Sequence, residues 1–498
     1  MKQNHAIFFI ILIIGTGLRL FMLDSASIRS DEGTTIQVAK ELSTYMDSAR
    51  GDVHPPLSYF YLHLFTLLGD SAFILRLATA IPSILSIVVI FFLAKLVYNE
   101  KTGLIAAAIL SISQFHVKYA QFVRMYPLFC LFTILATYLF FRIYLKKSGR
   151  MEKIAFALTG TALLYTHYYA TFLFLFQLIF LIIHKKGRKL LSTVIPLYGI
   201  ILLLFTPWIP IVFEQFGIFQ TPVVADQCRT SGVSLLKPDA NNIFIQASLS
   251  VFHFTAGLIN KSMNLAFILI VLLAVAIIIA SAIRLHYDKK TNFFISTLIG
   301  TMFLILLLHY LNIITVAPNS RYFLFISPLF YILIAKGIST YRKEAIIGIL
   351  ITLALINAIA FHGYFFGEKT REDWRATTAI LNVSEVLIYP PTYSANLHTY
   401  YNGTILFVPT LQTYHASLNF HTLFYAIVPV QDPKFCDFPK NDNITLITAG
   451  DINIQLQVEA CLNETHHLRT LWTNKYKSTW GQEKEDIRVA TYVRPTDS

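Results

Sequence analysis

Long apolar runs constrain the fold of this sequence more than any other feature. A helix needs about 20 consecutive apolar residues to cross a bilayer. Eleven stretches approach that length, at residues 5–23, 73–97, 103–117, 125–145, 154–166, 169–184, 190–213, 263–284, 293–316, 321–339 and 344–366. Charged residues make up only 14% of the chain, whereas soluble proteins contain about 25%. A single soluble domain and a disordered chain are both excluded, and the sequence predicts an α-helical polytopic membrane protein.

The first apolar run, residues 5–23, has a second interpretation as a cleaved signal peptide. A charged Arg19 lies near its end, and no clear small-residue cleavage site follows. Both features are atypical of signal peptides, so we expect a first membrane helix.

Basic residues set the expected orientation. The formal net charge is +12, which fits either nucleic-acid binding or cytoplasmic loops rich in Lys and Arg. Alternate loops carry the basic residues Lys95, Lys101, Lys146, Lys147, Arg150, Lys153, Lys185, Lys186, Arg188, Lys189, Arg284, Lys289, Lys290, Arg342 and Lys343. The positive-inside rule places these loops and the N-terminus in the cytoplasm. Because the basic residues are spread over short loops, no nucleic-acid partner is expected.

The chain divides into two predicted domains. Residues 1–366 form a transmembrane domain with outer loops at 24–72 and 214–262, and residues 367–498 form a small extracytoplasmic α/β domain. In the second domain, β-like runs alternate with candidate helices. The runs are Val386–Tyr389, Ile405–Val408, Leu423–Val428, Ile444–Thr448 and Ile487–Tyr492, with a helix at Trp374–Leu381.

Glycosylation sequons and cysteines agree with this orientation. The sequons occur in predicted outer segments, at Asn260, Asn382, Asn402, Asn443 and Asn463, although such triplets are also frequent by chance. Disulfides persist outside the cytoplasm, so Cys436 and Cys461 of the tail form either a bridge or two free thiols.

Polar residues gather at the predicted outer ends of the helices, where ionisable groups are costly unless they have a function. Five outer segments carry them: Asp31, Glu32 and His54; Arg124 and Tyr126; His167, Tyr168 and Tyr169; Arg321 and Tyr322; and Glu372, Asp373, Trp374 and Arg375. Each group alone has a structural explanation, such as a helix cap, a headgroup anchor or an aromatic belt. Together they predict an active site at the outer leaflet.

The order and spacing of these motifs resemble the GT-C membrane glycosyltransferases, in particular the protein O-mannosyltransferases and the aminoarabinose transferase of lipid A. The most specific pair is Asp31-Glu32 followed by His54-Pro55-Pro56-Leu57, with Arg76 near the start of the next helix. Weaker matches extend the resemblance over nearly the whole chain, at residues 124–128, 166–170, 206–210, 372–376, 388–391 and 400–403.

The resemblance implies transfer of a sugar, either a hexose such as mannose or a pentose, from a polyprenyl or dolichyl phosphate to an acceptor outside the cytoplasm. Asp31 matches the catalytic position and would act as general base, while Glu32 would orient the acceptor or hold a cation. The leaving phosphate needs cationic and hydrogen-bonding groups. Candidates for it are Arg124, His54, Tyr126 and Arg321, and candidates for substrate binding are His167, Tyr168 and Trp374.

The sequence lacks the central β-trefoil domain of the eukaryotic O-mannosyltransferases, so their acceptor does not carry over. A protein, a lipid and a glycan acceptor all stay open. No cofactor is implied with certainty. A divalent metal is left open, because some relatives bind one and Asp31, Glu32 and His54 have ligand-type side chains.

Two other function classes compete with an enzyme. A transporter would carry buried charges near the middle of its helices, whereas here the helix centres are largely Ile, Leu, Phe and Ala. A membrane-anchored binding protein that acts through its tail would leave the polar first outer loop without a role. Both are less favoured than a glycosyltransferase.

Overall fold

The membrane domain is built from α-helices. The computed structural model of the chain describes residues 2–42, 54–146, 148–219, 240–259, 265–311, 320–367, 379, 385–389, 404–407, 443–449, 467–477 and 483–493. The helices are α1 (Lys2–Leu20), α2 (Ser30–Lys40), α3 (Leu57–Thr66), α4 (Ala72–Val97), α5 (Glu100–Ile112), α6 (Gln114–Ala120), α7 (Tyr126–Leu145), α8 (Arg150–Leu164), α9 (Ala170–Ile183), α10 (Lys185–Phe205), α11 (Ile209–Phe219), α12 (Ala240–Ala256), α13 (Leu265–Ile283), α14 (Lys289–Tyr310), α15 (Ser327–Ile338) and α16 (Lys343–Phe365). Two 3₁₀ helices, Thr206–Trp208 and Ser320–Ile326, precede α11 and α15.

Each predicted apolar run overlaps helical structure in the described residues. Within the described ranges, seven helices are long and apolar enough to cross a membrane, and two shorter apolar helices, Ala170–Ile183 and Phe267–Ile283, accompany them. The shortest predicted runs, 103–117 and 154–166, overlap α5 and α8, whose 13 and 15 residues are fewer than a full crossing needs. The prediction of a multi-pass helical membrane protein is confirmed.

Burial separates the central helices from the lipid-facing rim. In the most apolar stretch of each segment, 83% of the residues are buried for Ser320–Ile338 and 72% for Tyr126–Leu145. For Lys343–Phe365 the share is only 28%. The two central segments begin next to Arg321 and Arg124, two of the predicted site residues. The packed centre of the bundle therefore fixes the backbone positions of these two arginines.

Arg19 is a structural residue at the end of the first helix. Its fully buried side chain donates to Ser83 Oγ at 2.7 Å and to the carbonyl oxygens of Gly15, Leu110 and Ser111 at 2.9–3.1 Å. Leu110 and Ser111 lie in the last turn of α5, where carbonyls lack intrahelical partners and a cation interacts well with the helix dipole. Arg19 therefore joins α1 to α4 and α5.

The C-terminal segment contains a five-stranded mixed sheet with the order β2-β1-β3-β5-β4. Its strands are β1 (Glu385–Tyr389), β2 (Thr404–Phe407), β3 (Asn443–Ala449), β4 (His467–Lys477) and β5 (Glu483–Val493). β1 pairs in parallel with β2 and β3, whereas β5 pairs antiparallel with β3 and β4. Parallel neighbours need crossover connections, which agrees with the predicted α/β class.

The sheet matches most of the strand predictions. Four predicted strands fall on β1, β2, β3 and β5, whereas the sequence does not predict β4. The predicted strand Leu423–Val428 and the Cys436–Cys461 pair lie outside the described residues, as does the Trp374–Leu381 helix except for the helical Ala379. Among the described cysteines, Cys130 is a buried free thiol.

Candidate active site

The first turn of α2 carries the two predicted catalytic carboxylates. Acidic side chains at this position interact favourably with the helix dipole. The backbone N–H of Arg29 donates to Glu32 Oε2 at 3.0 Å, which is the returning half of a capping box. The Thr35 hydroxyl donates to the Asp31 carbonyl at 2.9 Å. The side chains then diverge, because Glu32 is fully buried whereas the Asp31 side chain is 40% exposed.

Glu32 forms a buried ion pair with Arg76 of α4. Arg76 Nε and Nη2 donate to Glu32 Oε1 and Oε2, each at 3.2 Å, and the Val123 N–H donates to Oε1 at 3.0 Å. Arg76 also donates to the carbonyl oxygens of Leu23, Ala26 and Ser27. Both carboxylate oxygens are occupied in a fully buried position. This geometry favours a positioning role for Glu32 over contact with an acceptor or a cation.

Asp31 faces Arg321 across the fold. Arg321 Nη1 donates to Asp31 Oδ2 at 2.9 Å although 290 residues separate them in sequence. Arg321 lies in the 3₁₀ helix before α15, and its Nη2 donates to the Tyr322 hydroxyl at 3.4 Å. Its guanidinium carbon is 5.2 Å from the Tyr322 ring centroid, within the range of a cation–π contact. The pair is partly exposed, so both groups can reach a ligand.

Arg124 supplies a second guanidinium beside Asp31. Its Nη1 donates to Thr35 Oγ1 at 2.9 Å and approaches the Asp31 carbonyl at 3.5 Å. Burial alone would raise the pKa of Asp31, but the charges of Arg124 and Arg321 outweigh burial and lower it. Asp31 is therefore ionised at neutral pH. Two guanidinium groups around one carboxylate leave a local positive charge that suits a phosphate.

Three tyrosines line the side of the cluster next to Arg321. The ring centroid of Tyr322 is 6.2 Å from that of Tyr126 and 6.5 Å from that of Tyr169. The buried Tyr169 hydroxyl has no hydrogen-bond partner among the described residues. A buried hydroxyl without a partner is costly, so this atom is suited to bind a polar group of a substrate.

His167 and His54 form an aromatic contact behind these tyrosines. Their ring centroids are 6.0 Å apart, and His167 stacks on Phe129 at 4.9 Å. His167 Nδ1 accepts the N–H of Tyr169 at 3.2 Å. Burial and then the charges of His54 and Arg124 push the pKa of His167 well below its usual range. His167 is therefore neutral at neutral pH, with its proton on Nε2.

The His-Pro-Pro-Leu segment is fixed to the turn that carries His167. The Leu57 N–H donates to the Tyr165 carbonyl at 2.9 Å, and α3 begins at Leu57 directly after Pro56. Proline suits the start of a helix because its fixed φ is already helical. This contact explains why His54 lies next to His167 although they belong to different loops.

The other two predicted substrate-binding residues are Tyr168, which the structure describes, and Trp374. The Tyr168 hydroxyl donates to Gln215 Oε1 of α11 at 2.5 Å and accepts from Trp208 Nε1, in the preceding 3₁₀ helix, at 2.9 Å. Trp374 lies outside the described residues, as do Glu372, Asp373 and Arg375. Thr35, which contacts Arg124 beside Asp31, is a site residue that the sequence motifs do not predict. Its position four residues after Asp31 on one helix face is the signal that identifies it.

The described residues do not assemble a metal site from Asp31, Glu32 and His54. No group of three or more His, Cys, Asp or Glu side chains that could hold a metal ion occurs in the described part of the chain. Glu32 also has both oxygens engaged by Arg76 and backbone amides. The described polar neighbours of Asp31 are guanidinium groups and a hydroxyl, a set that suits an anion.

Part of the chain matches a known family. Residues 53–211 match the family model of the dolichyl-phosphate-mannose-protein mannosyltransferases. The matched range contains His54, Arg76, Arg124 and His167 and ends before Arg321. No curated protein matches the chain.

Solved structures show where the fold recurs. The Archaeoglobus fulgidus oligosaccharyltransferase tethered with an acceptor peptide is 11% identical, with a TM-score of 0.52 over 100% of this chain and 74% of that chain. The same enzyme in complex with Zn and sulfate is 12% identical, with a TM-score of 0.50 over 96% and 73%. ArnT from Cupriavidus metallidurans is 12% identical, with a TM-score of 0.49 over 97% of both chains.

At these identities the oligosaccharyltransferase structures show a shared fold and nothing further, and the ArnT score is too low to support an argument. The family match over residues 53–211 and the shared fold agree with the resemblance to the GT-C membrane glycosyltransferases that the sequence motifs indicate.

Proposed function

We propose that this chain, which has the fold of the GT-C membrane glycosyltransferases, moves a sugar from a polyprenyl or dolichyl phosphate to an extracytoplasmic acceptor. The observation that carries the proposal is the ionised Asp31 carboxylate with Arg124 and Arg321 beside it. The family match over residues 53–211 favours a mannosyl phosphate as the first donor to test.

The reaction exchanges one bond at the anomeric carbon of the sugar. The acceptor oxygen attacks that carbon, and the bond from the carbon to the phosphate oxygen breaks. The acceptor proton passes to Asp31, which serves as general base. The bond electrons leave with the polyprenyl phosphate, and Arg321 and Arg124 neutralise the negative charge that it gains.

Donor binding and base strength are coupled through Arg321. Without a donor, Arg321 holds the Asp31 carboxylate at 2.9 Å and weakens it as a base. A donor phosphate competes for the same guanidinium. As Arg321 turns toward the phosphate, the pKa of Asp31 rises and its carboxylate becomes a better proton acceptor. The base is therefore strongest when the donor is in place.

The neighbouring side chains have supporting roles in this proposal. Tyr126 flanks the phosphate site together with Tyr322 and the unsatisfied Tyr169 hydroxyl. His54 and the neutral His167 lie in contact behind the tyrosines and bind sugar hydroxyls. Glu32 positions Asp31 through its buried pair with Arg76. Tyr168 acts through Trp208 and α11, and Trp374 stays a candidate substrate contact.

Orientation and domain division belong to the same proposal. The N-terminus faces the cytoplasm, because the basic loops lie on that side. Residues 1–366 form the catalytic membrane domain and residues 367–498 the extracytoplasmic α/β domain. The acceptor is a protein, a lipid or a glycan. A transfer assay with a labelled donor identifies it, because the label passes to the acceptor.

A transporter is the competing function, and the described ionisable groups do not favour it. Arg19 and Arg76 are fully buried within membrane helices, where ionisable residues often mark transport pathways. Their guanidinium groups bind carbonyl oxygens, a serine hydroxyl and Glu32 at 2.7–3.2 Å. Such contacts fix helices in place, so these two arginines have a structural role and do not indicate a transport pathway.

Sugar transfer in membranes tests the proposal. Membranes with the wild type or Asp31→Asn are incubated with labelled polyprenyl-phosphate hexoses, and the label is followed from donor to product. We expect transfer by the wild type and loss in Asp31→Asn. Asp70→Asn is the matched control, because Asp70 is an exposed acid of the same loop that pairs with Lys40 at 2.8 Å. Equal transfer by wild type and Asp31→Asn would remove Asp31 as the base, and no transfer of any donor sugar by the wild type would contradict the function.

A further inference from the structure

The end of α12 contacts the residue that precedes Arg321. His253 Nδ1 and the Ser320 hydroxyl share a hydrogen bond of 2.7 Å, and the Ser250 hydroxyl lies 3.3 Å from the same oxygen. Ser250 is fully buried and Ser320 is 4% exposed. Sequence motifs do not indicate this contact, since His253 and Ser320 are 67 residues apart.

This end of α12 is held firmly by its neighbours. Gly257 adopts a φ of +75° and donates its N–H to the His253 carbonyl at 3.0 Å, which ends the helix in the left-handed conformation that favours glycine. The next N–H, of Leu258, donates to Gln114 Oε1 at 2.7 Å. Asn357 Nδ2 donates to the Thr255 carbonyl at 3.0 Å. The backbone at His253 is therefore fixed to α6 and α16.

The His253 ring is also fixed. It stacks on Phe115 with an interplanar angle of 20° and a centroid distance of 6.3 Å. Phe115 is itself fully buried. The imidazole thus presents Nδ1 to Ser320 from a packed position.

Ser320 begins a 3₁₀ helix, an element with poorer hydrogen-bond geometry than an α-helix. The side-chain contact at its first residue adds to these weaker backbone bonds in fixing the position of the next residue. That next residue is Arg321, whose guanidinium lies 2.9 Å from Asp31.

We propose that His253 is a positioning residue of the active site, which holds Arg321 in place through the hydroxyl of Ser320. The inference rests on the proposed function, since it assigns His253 to the phosphate-binding part of the same reaction. His253 itself does not touch the Asp31 carboxylate or the donor. Its loss is expected to weaken donor binding more than the chemical step.

Two substitutions separate the hydrogen bond from the ring packing. His253→Phe keeps a ring to stack on Phe115 but removes the bond to Ser320. His253→Asn removes the ring but places an amide atom near the position of Nδ1. Ser320→Ala removes the same hydrogen bond by deleting the serine hydroxyl. His362→Phe is the control, because it makes the same substitution at an exposed histidine of α16.

The measurement is the KM for a polyprenyl-phosphate hexose and kcat at saturating donor. We expect about a tenfold rise in KM for His253→Phe and for Ser320→Ala, from the loss of one hydrogen bond, with a smaller change in kcat. The double variant is expected to equal Ser320→Ala, because that substitution already removes the contact with His253. His253→Asn and His362→Phe are expected to stay near the wild type.

A structure of each variant gives a readout that does not depend on transfer. We expect the distance from Arg321 Nη1 to Asp31 Oδ2 to stay near 2.9 Å in the wild type and in His253→Asn and to lengthen in His253→Phe. An unchanged distance and KM in His253→Phe would overturn the inference, and so would a larger defect in His253→Asn than in His253→Phe. A wild type that transfers no sugar would contradict the proposed function, while the distance would still decide the role of His253.

Discussion

Arg321 has two anionic partners in the proposed reaction, and only one of them belongs to the protein. Its contact with Asp31 keeps the carboxylate ionised, since the guanidinium charges lower the pKa of Asp31. A phosphate of the donor is the second partner. Arg321 therefore affects both the binding of the donor and the protonation of the base Asp31.

The pH profile of transfer tests this dual role. A base must be ionised, so activity falls as pH drops through its pKa. Removing a neighbouring cation raises that pKa, so we expect Arg321→Ala to move the acidic limb of kcat/KM, which reports the free enzyme, to higher pH. Arg321→Lys keeps the charge and is expected to leave the limb close to its wild-type position. A limb that does not move in Arg321→Ala would show that Arg321 does not act on the base.

The sequence predicts the members of the site better than their pairing. Asp31, Arg124 and Arg321 are recognisable because ionisable residues at membrane ends are rare without a function. Their partners depend on side-chain geometry across 89 to 290 residues, as in the contacts of Arg124 with Thr35 and of Arg321 with Asp31. Sequence spacing holds no information about such contacts. It therefore predicts Glu32 and Asp31 as neighbouring catalytic residues, although their two side chains diverge.

At the scale of elements, the buried pair of Glu32 and Arg76 joins α2 to α4. Arg76→Met would leave the Glu32 charge buried without its partner and is expected to lower the free energy of unfolding by about 3–5 kcal/mol. Adding Glu32→Gln removes the stranded charge and should recover part of the loss. Thermal unfolding in detergent measures both effects.

The exposed pair of Lys40 and Asp70 is the matched control for this prediction. Its N–O distance is 2.8 Å, but its side chains are 35% and 63% exposed. Lys40→Ala is expected to cost less than about 1 kcal/mol, because exposed ion pairs contribute little. Equal losses for Arg76→Met and Lys40→Ala would contradict a structural role for the buried pair.

The crossing of α13 and α15 depends on a glycine. A Cβ at Gly337 would collide with the backbone of Ser281, whereas one at Gly348 of α16 would meet nothing within 4 Å. Small residues allow such close approach between membrane helices. Gly337→Leu is therefore expected to lower the unfolding temperature or prevent folding, and Gly348→Leu to leave it unchanged. Similar stability of the two variants would mean that α13 and α15 do not approach this closely.

Helices are easier to predict than strands in this chain. Each membrane helix coincides with an apolar run because lipid requires a long apolar surface. Strand β4 escapes prediction because its sequence, His467–Lys477, is mostly polar and lacks a clear alternation of apolar residues. Its partner β5 carries such an alternation near Ile487, which is the signal that identifies it.

At the scale of the whole molecule, the proposal requires the Asp31 site and the basic loops to face opposite sides of the membrane. In a background without native cysteines, Asp70→Cys and Tyr287→Cys place thiols at exposed positions of an outer and an inner loop. An impermeant maleimide is expected to label Asp70→Cys in intact cells and Tyr287→Cys only after permeabilisation. The reverse pattern would invert the topology and move the proposed reaction to the cytoplasm.

The measurement that tests the central claim most directly separates donor binding from transfer in Asp31→Asn. The substitution removes both the base and the anion that competes for Arg321. The proposal therefore predicts that polyprenyl phosphate binds at least as tightly as to the wild type, while single-turnover transfer of the hexose falls by about a hundredfold or more. Transfer at the wild-type rate, or loss of transfer that follows entirely from weaker donor binding, would contradict Asp31 as the catalytic base.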